Sequence, residues 1–313
     1  MKKIIAIDIG GTNIKYGTVL EDGTLKDTGI ISTENYKGRD KLLSKLEDII
    51  EGQLIKTHDV VGIGISTAGQ VNSKKGSITF ATDALPGWTG TEVKGILEQR
   101  FNLPTYVNND VNAALLGEFW QGAAKGRDDV LMITLGTGVG GGIIRNKEIY
   151  YGSRYLAGEF GHIKLYPKGR PCVCGQEGCY EQYASTSALV RMVEEGLENN
   201  DDSLLHSYHE INGKTIFEAE QRGDTLANEL IEEWIFYISW GLVSLIHSLN
   251  PSIIIIGGGV SAEGRALTDR IKEKTLSMTI PSFGEELDIV PATLGNDAGL
   301  MGAAYFAKRQ MEI

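Results

Sequence analysis

The sequence predicts an α/β chain built as two lobes, and three observations carry that reading. At 313 residues the chain exceeds the size that one hydrophobic core usually serves. Stretches that alternate like strands are interleaved with stretches spaced like helices, the pattern of α/β proteins. An opening unit of strand, glycine turn and strand over residues 3–20 returns over residues 130–145, which suggests two halves of related plan.

Residues 3–9 alternate into a strand, Gly10-Gly11-Thr12 turns sharply, and 14–20 resume as a second strand. Glu21-Asp22-Gly23 turns the chain into a third strand near 24–33. Leu42, Leu43, Leu46, Ile49 and Ile50 put helical spacing on 41–55, and 60–66 form a fourth strand. Residues 68–88, rich in Gly, Ser and Asp, read as a long irregular loop, a kind that is usually functional. A helix at 91–101, a short strand at 105–108 and a helix at 111–124 close the first half.

The second half opens with a strand at 130–135, the turn Gly136-Thr137-Gly138-Val139-Gly140-Gly141 and a returning strand at 142–145. Beyond residue 181, helices are expected at 186–198, 214–222 and 225–248, then a buried strand at 252–256. Gly257-Gly258-Gly259 ends that strand, a helix follows at 263–276, and a last helix occupies 297–310.

A formal charge of −11 gives no basic patch for nucleic-acid phosphates, which argues against DNA or RNA as a partner. The first strand reaches Asp8 too soon to be a signal-peptide core. The most apolar long stretch, 234–249, carries serines and His247 and is too short to span a bilayer. It reads as a buried helix or a subunit contact, and cytoplasmic residence is expected.

The glycine turns carry chemistry. Gly136-x-Gly138-x-x-Gly141 has the letters of a dinucleotide fingerprint, but a strand follows where that motif needs a helix. No Gly-Lys-Ser/Thr follows any turn, so a Walker loop is excluded as well. What remains is bare backbone that can approach an anion and donate N–H groups to it. Two such turns, with the Thr12 and Thr137 hydroxyls beside them, would grip a polyphosphate. Asp8, at the end of an apolar strand, suits Mg²⁺ held through water. Asn109-Asp110 lies at a strand-to-helix junction. Asp110 reads there either as a helix cap or as a carboxylate that accepts a proton from a hydroxyl attacking phosphorus.

All three cysteines, Cys172, Cys174 and Cys179, lie in one short loop with His162 ahead of them. Three thiolates and an imidazole are a full tetrahedral zinc shell, and Gly175 and Gly178 permit the tight turns that bring the ligands together. A disulfide fits poorly, because Cys172 and Cys174 are too close in sequence and the count is odd. Glu159 and Glu181 bracket the ligands, so a structural zinc would hold Glu159, His162 and Glu181 in fixed relation.

Asp8-Ile9-Gly10-Gly11-Thr12, Asn109-Asp110, the turn at 136–141, Glu159-x-Gly161-His162, the cysteine loop through Glu181, and Gly257-Gly258-Gly259 together resemble the ROK family (repressor, open reading frame, kinase) of sugar kinases in the actin-like ATPase superfamily. The resemblance implies a two-lobed actin-like, hexokinase-type fold with the ligand cleft between the lobes. One lobe would be 1–110 with 297–313, the other 111–296 with the zinc loop. It implies ATP- and Mg²⁺-dependent transfer to a hexose hydroxyl, commonly the 6-hydroxyl. Glucose or a glucose-like sugar stands first as substrate, N-acetylmannosamine or a β-glucoside next. By the same pattern Asp110 looks like the catalytic base, with Gly69, Asn109, Glu159, His162 and Glu181 around the sugar. Asp8, Gly10, Gly11, Thr12, Asn13, Thr137, Gly138, Gly257, Gly258 and Gly259 then belong to the nucleotide. Ala68-Gly69-Gln70-Val71 departs from the Pro-Gly-Pro-Val of many glucokinases, which leaves the sugar open. Many relatives are homodimers. A ROK-type sugar-responsive regulator would carry a winged helix ahead of the first strand, and an idle sugar sensor should lack the base; the chain opens on that strand and has Asp110.

Overall fold

The computed structural model describes residues 2–312. In chain order the first strands are β1 (Lys3–Ile9), β2 (Asn13–Leu20) and β3 (Leu25–Ser32), followed by helix α1 (Arg39–Lys56). Next come β4 (Val60–Thr67), β5 (Gln70–Asn72), β6 (Ser77–Phe80), α2 (Val93–Phe101), β7 (Thr105–Asn109) and α3 (Asp110–Gln121). The second run has β8 (Val130–Leu135), β9 (Val139–Arg145), β10 (Glu148–Ile149), α4 (Glu181–Ala184), α5 (Thr186–Leu197), α6 (Gly213–Gln221) and α7 (Thr225–Leu249). It ends with β11 (Ile253–Gly257), α8 (Gly264–Met278), α9 (Pro281–Gly284), β12 (Asp288–Pro291) and α10 (Ala298–Gln310).

Two five-stranded sheets result, ordered β3-β2-β1-β4-β7 and β10-β9-β8-β11-β12. In the first, β1 pairs antiparallel with β2 and parallel with β4, and β4 pairs parallel with β7. In the second, β11 runs parallel to both β8 and β12. The inner strands Ile-Ile-Ala-Ile of β1 and Ile253–Gly257 of β11 are buried along their length. That is the pattern of strands covered by helices on both faces, and it explains runs of isoleucine without polar alternation.

By contact the chain divides into two units. One holds the chain up to Gly126, Gly142–Ala157 and the chain from Asn296; the other holds Arg127–Gly141 and Gly158–Gly295. The sequence reading began its second lobe at 111, whereas α3 lies in the first unit, where it packs on α10. The reason is close backbone approach. A Cβ on Gly302 would lie 1.5 Å from the Ala113 carbonyl oxygen, and one on Gly117 would lie 2.4 Å from that of Ala298. Only paired glycines let the two helices meet at that distance.

One further departure concerns 68–88, which is not irregular throughout. It holds the antiparallel pair β5 and β6 and closes on Trp88, which is fully buried and donates through Nε1 to Thr67 Oγ1 at 3.1 Å. The strands are too short for alternation to reveal. β12 was likewise not expected, and a 3-10 turn, Gly259–Glu263, stands between β11 and α8.

Candidate active site and metal centre

In the first unit the parallel register of β1 and β4 sets Asp8 beside Ser66, and the Ser66 hydroxyl donates to Asp8 Oδ1 at 2.6 Å. Burial pushes the Asp8 carboxyl up, against the opposing pull of Ser66 and Lys15. The turn that follows is tied from a distance. Gly10 N–H donates to the Asn13 carbonyl at 2.9 Å, Thr33 Oγ1 donates to the Gly10 carbonyl at 2.8 Å, and Thr33 N–H donates to the Thr12 carbonyl at 2.8 Å. These bonds take up the Gly10, Thr12 and Asn13 carbonyls and the Gly10 N–H, so that any N–H offered to a ligand comes from Gly11 and Thr12.

At the β7–α3 junction Asn109 is the helix cap. Its Oδ1 accepts from the N–H of Val111 at 3.0 Å and of Asn112 at 3.1 Å. Its Nδ2 donates to the Gly69 carbonyl at 2.9 Å and to Asp110 Oδ1 at 2.7 Å. Asp110 is thus the first helical residue, freed of the capping role that the sequence left open for it. Burial, and then the charge of Asp8, push its pKa up to about 7 from 3.8. The Val111 N–H and the Asn109 amide pull the other way but do not prevail. A carboxylate titrating near neutrality is what a general base needs. Gly69 has a conformational reason of its own: its φ is +107°, and a Cβ would meet the Phe80 carbonyl oxygen at 2.5 Å. Behind this junction Asn108 Oδ1 accepts from Asn109 N–H and from Ser73 Oγ, both at 3.0 Å, and its Nδ2 donates to Tyr151 Oη at 2.9 Å.

In the second unit the turn after β8 is closed by Gly136 N–H on the Gly138 carbonyl at 3.0 Å, and Thr186 N–H holds the Gly136 carbonyl at 2.9 Å. Glu181 Oε2 accepts from Val139 N–H at 3.0 Å. Gly258 follows β11 with φ +85°, and a Cβ there would lie 2.3 Å from the Leu135 carbonyl oxygen. Glycine is required at that close crossing. Between these turns and the starts of α5 and α6 lies a cavity of about 640 Å³, within the usual range for a small-molecule site. Gly136, Thr137, Thr186, Arg191, Asn212 and Gly259 contribute to its wall. Thr186 Oγ1 and Arg191 Nε, on two residues of this wall, are buried without a protein hydrogen-bond partner.

The metal centre lies in the same unit. One ligand atom from each of His162, Cys172, Cys174 and Cys179 falls within 4.8 Å of the others. Cys174 Sγ is 3.6 Å from Cys179 Sγ, and His162 Nδ1 is 3.8 Å from Cys172 Sγ. Gly175 and Gly178 both take left-handed backbone, with φ of 82° and 70°. A Cβ at 178 would fall 1.6 Å from the Tyr166 carbonyl oxygen. Four donors of the right kind, converging without a disulfide, fit a tetrahedral zinc ion. Since Nδ1 of His162 faces the thiols, Nε2 is the nitrogen left to face outward. Lys164 Nζ donates to Cys179 Sγ at 3.1 Å, a partner the sequence did not disclose.

The structure thus brings Asp8, Asn109, Asp110 and Gly69 together in one unit, and Gly138, Glu181 and the metal ligands in the other. Glu159 stands at the head of the 3-10 turn Phe160–His162, its carbonyl accepting the His162 N–H at 3.1 Å. Sequence reasoning missed Thr33, Ser66, Thr186, Arg191 and Asn212. Only Ser66 left a signal, as a polar residue ending an apolar strand.

A family model described as ROK family matches residues 4–310. A glucokinase of Halalkalibacterium halodurans is 36% identical over 315 residues, covering 98% of this chain and 95% of that protein. A β-glucoside kinase of Listeria innocua is 36% identical over 310 residues, covering 97% and 96%. Among solved structures, a ROK family glucokinase from Streptomyces griseus in complex with glucose and AMPPNP matches with a TM-score of 0.84 at 37% identity, covering 98% of this chain and 99% of that one. The two mixed sheets with their helices are therefore the two-domain actin-like fold. Among the described residues no helix is long and apolar enough to cross a membrane.

Proposed function

The chain belongs to the ROK family and is a sugar kinase, and we propose that it transfers the γ-phosphoryl group of ATP to the 6-hydroxyl of glucose or a glucose-like sugar. The observation that carries the reading is Asp110, a carboxylate fixed by Asn109 at the start of α3 and pushed up to about 7 by burial and then by the charge of Asp8. As the sugar oxygen bonds to the γ-phosphorus, its proton passes to Asp110 and the bond from phosphorus to the β,γ-bridging oxygen breaks, releasing ADP. The base needs little driving force to hold the proton, because ionised Asp110 is already costly in its buried place beside Asp8.

The turns Gly10 to Asn13 and Thr137 to Gly138 supply N–H groups and hydroxyls to the phosphates, and Gly257 to Gly259 border the nucleoside. The cavity at the starts of α5 and α6 suits that nucleoside, since Val190, Phe217 and Val260 give its wall apolar surface for a base. Asp8 is the residue that would hold Mg²⁺, an ion that neutralises phosphate charge during transfer. Gly69, Glu159, His162 and Glu181 take the sugar hydroxyls, and Asn109, whose amide is used on Gly69 and Asp110, holds those two in place for the sugar. His162, Cys172, Cys174 and Cys179 would hold zinc as a structural ion that orients His162. The exposed Trp240 on α7 is read as a subunit contact of a homodimer, and the cytoplasm as the place of work.

A panel of glucose, mannose, fructose, N-acetylglucosamine, N-acetylmannosamine and cellobiose with ATP tests this reading. The expected outcome is the highest kcat/KM on glucose, with a 6-phosphate as product by phosphorus NMR. A preference of tenfold or more for cellobiose or an N-acetylhexosamine would overturn the sugar assignment.

A further inference from the structure

Glu181 has so far been placed with the sugar, yet its carboxylate makes a hydrogen bond elsewhere. Oε2 accepts from Val139 N–H at 3.0 Å, inside the glycine turn. A Cβ on Gly138 would stand only 2.3 Å from the same oxygen, so the carboxylate lies across the turn and fills the space a side chain there would need. Thr186 N–H holds the other end of the turn through the Gly136 carbonyl. The turn is thus pinned at both ends by the stretch that leaves the cysteine loop: Glu181 opens α4, and Thr186 opens α5. Upstream, the Tyr180 N–H is fixed on the Ile163 carbonyl at 2.8 Å, next to His162.

We propose that Glu181 is a positioning residue of the phosphate turn as well as a sugar ligand, so that order in the zinc loop reaches the nucleotide through its carboxylate. Oε2 fixes Val139 and with it the direction of the neighbouring N–H groups; Oε1 is the oxygen that serves a sugar hydroxyl. A residue used only for the sugar would have no reason to take a backbone donor of the turn. This inference rests on the kinase reading of the turn.

The test is calorimetric binding of AMPPNP to the zinc-loaded protein without sugar. Glu181→Ala removes the acceptor and should weaken AMPPNP about tenfold, the scale of one hydrogen bond to a charged group. Glu181→Gln keeps an oxygen in reach of Val139 and should restore most of that affinity, while sugar affinity stays reduced in both variants. Should the alanine protein fail to fold by circular dichroism, Glu181→Ser, too short to reach Val139, is read in its place. AMPPNP affinity within twofold of the parent in the alanine or serine protein, or a glutamine protein as weak as they are, would overturn the proposal. A parent protein that binds no AMPPNP at all would instead overturn the kinase reading beneath it.

Discussion

The Asn109 amide and the Asp110 carboxylate form one unit. Nδ2 of the first donates to Oδ1 of the second at 2.7 Å, while Asn109 Oδ1 caps α3. One side chain thereby caps the start of the helix, anchors the Gly69 carbonyl and aims the carboxylate. Because the cap is taken by Asn109, Asp110 can be changed without undoing the helix start.

The first prediction concerns pH. Asp110 must be ionised to accept a proton, and burial with the charge of Asp8 pushes it up to about 7. The kcat/KM should therefore rise with pH and level off above about 7. Stability should move oppositely. The folded protein holds a proton on Asp110 between the unfolded value of 3.8 and about 7, so this residue's contribution falls as pH rises across that window. Asp110→Asn lacks that loss and should gain stability over the parent from pH 4 to 7 in denaturant titrations. A flat activity profile down to pH 5 would remove Asp110 as the titrating base.

A side chain at Gly138 should disturb both ligands. Its Cβ must displace Glu181 Oε2, which lies 2.3 Å away. Gly138→Ala is expected to raise the KM for ATP about tenfold, through one lost charge-assisted hydrogen bond, and to raise the KM for sugar as well. Steady-state kinetics with each substrate varied checks this, and an unchanged KM for ATP would contradict it.

Cys179→Ser should lose zinc, counted by atomic emission, and weaken sugar binding more than nucleotide binding. The sugar loses the orientation of His162, Glu159 and Glu181, whereas the nucleotide loses only what Glu181 lends to the turn. A zinc-free variant that binds sugar as tightly as the parent would make the metal a remote staple.

Gly302→Ala tests the α3–α10 contact. With a Cβ only 1.5 Å from the Ala113 carbonyl oxygen, one helix must shift. A loss of about 2 kcal/mol or more is expected from such overpacking. Thermal or denaturant unfolding measures it, and a change under about 0.5 kcal/mol, the range of neutral surface substitutions, would contradict the close packing.

Much of the candidate site's geometry was legible because its signals are local. Cys172, Cys174 and Cys179 sit in one loop with glycines at the bends, and both glycine turns follow apolar strands directly. Asp110 stands at a strand-to-helix junction that the pattern locates. What stayed hidden depends on distant partners. Thr33 reaches the Gly10 turn only because β3 pairs with β2, and Ser66 meets Asp8 only through the β1–β4 register. The cavity needs α5, α6 and the turn after β11 to converge, which no single stretch encodes. The β5–β6 hairpin escaped because its strands are short and Gly69 and Gly76, both at positive φ, read as loop.

The central claim is that Asp110 takes the proton from the attacking sugar hydroxyl, and the most direct measurement compares turnover and sugar binding in Asp110→Asn. The amide keeps the size of the side chain and an oxygen for the Val111 and Asn109 donors. The account predicts kcat reduced at least about a hundredfold, the scale of general-base catalysis, with calorimetric sugar affinity changed far less. A variant that keeps most of its turnover would contradict it and leave Asp110 as a structural start to α3.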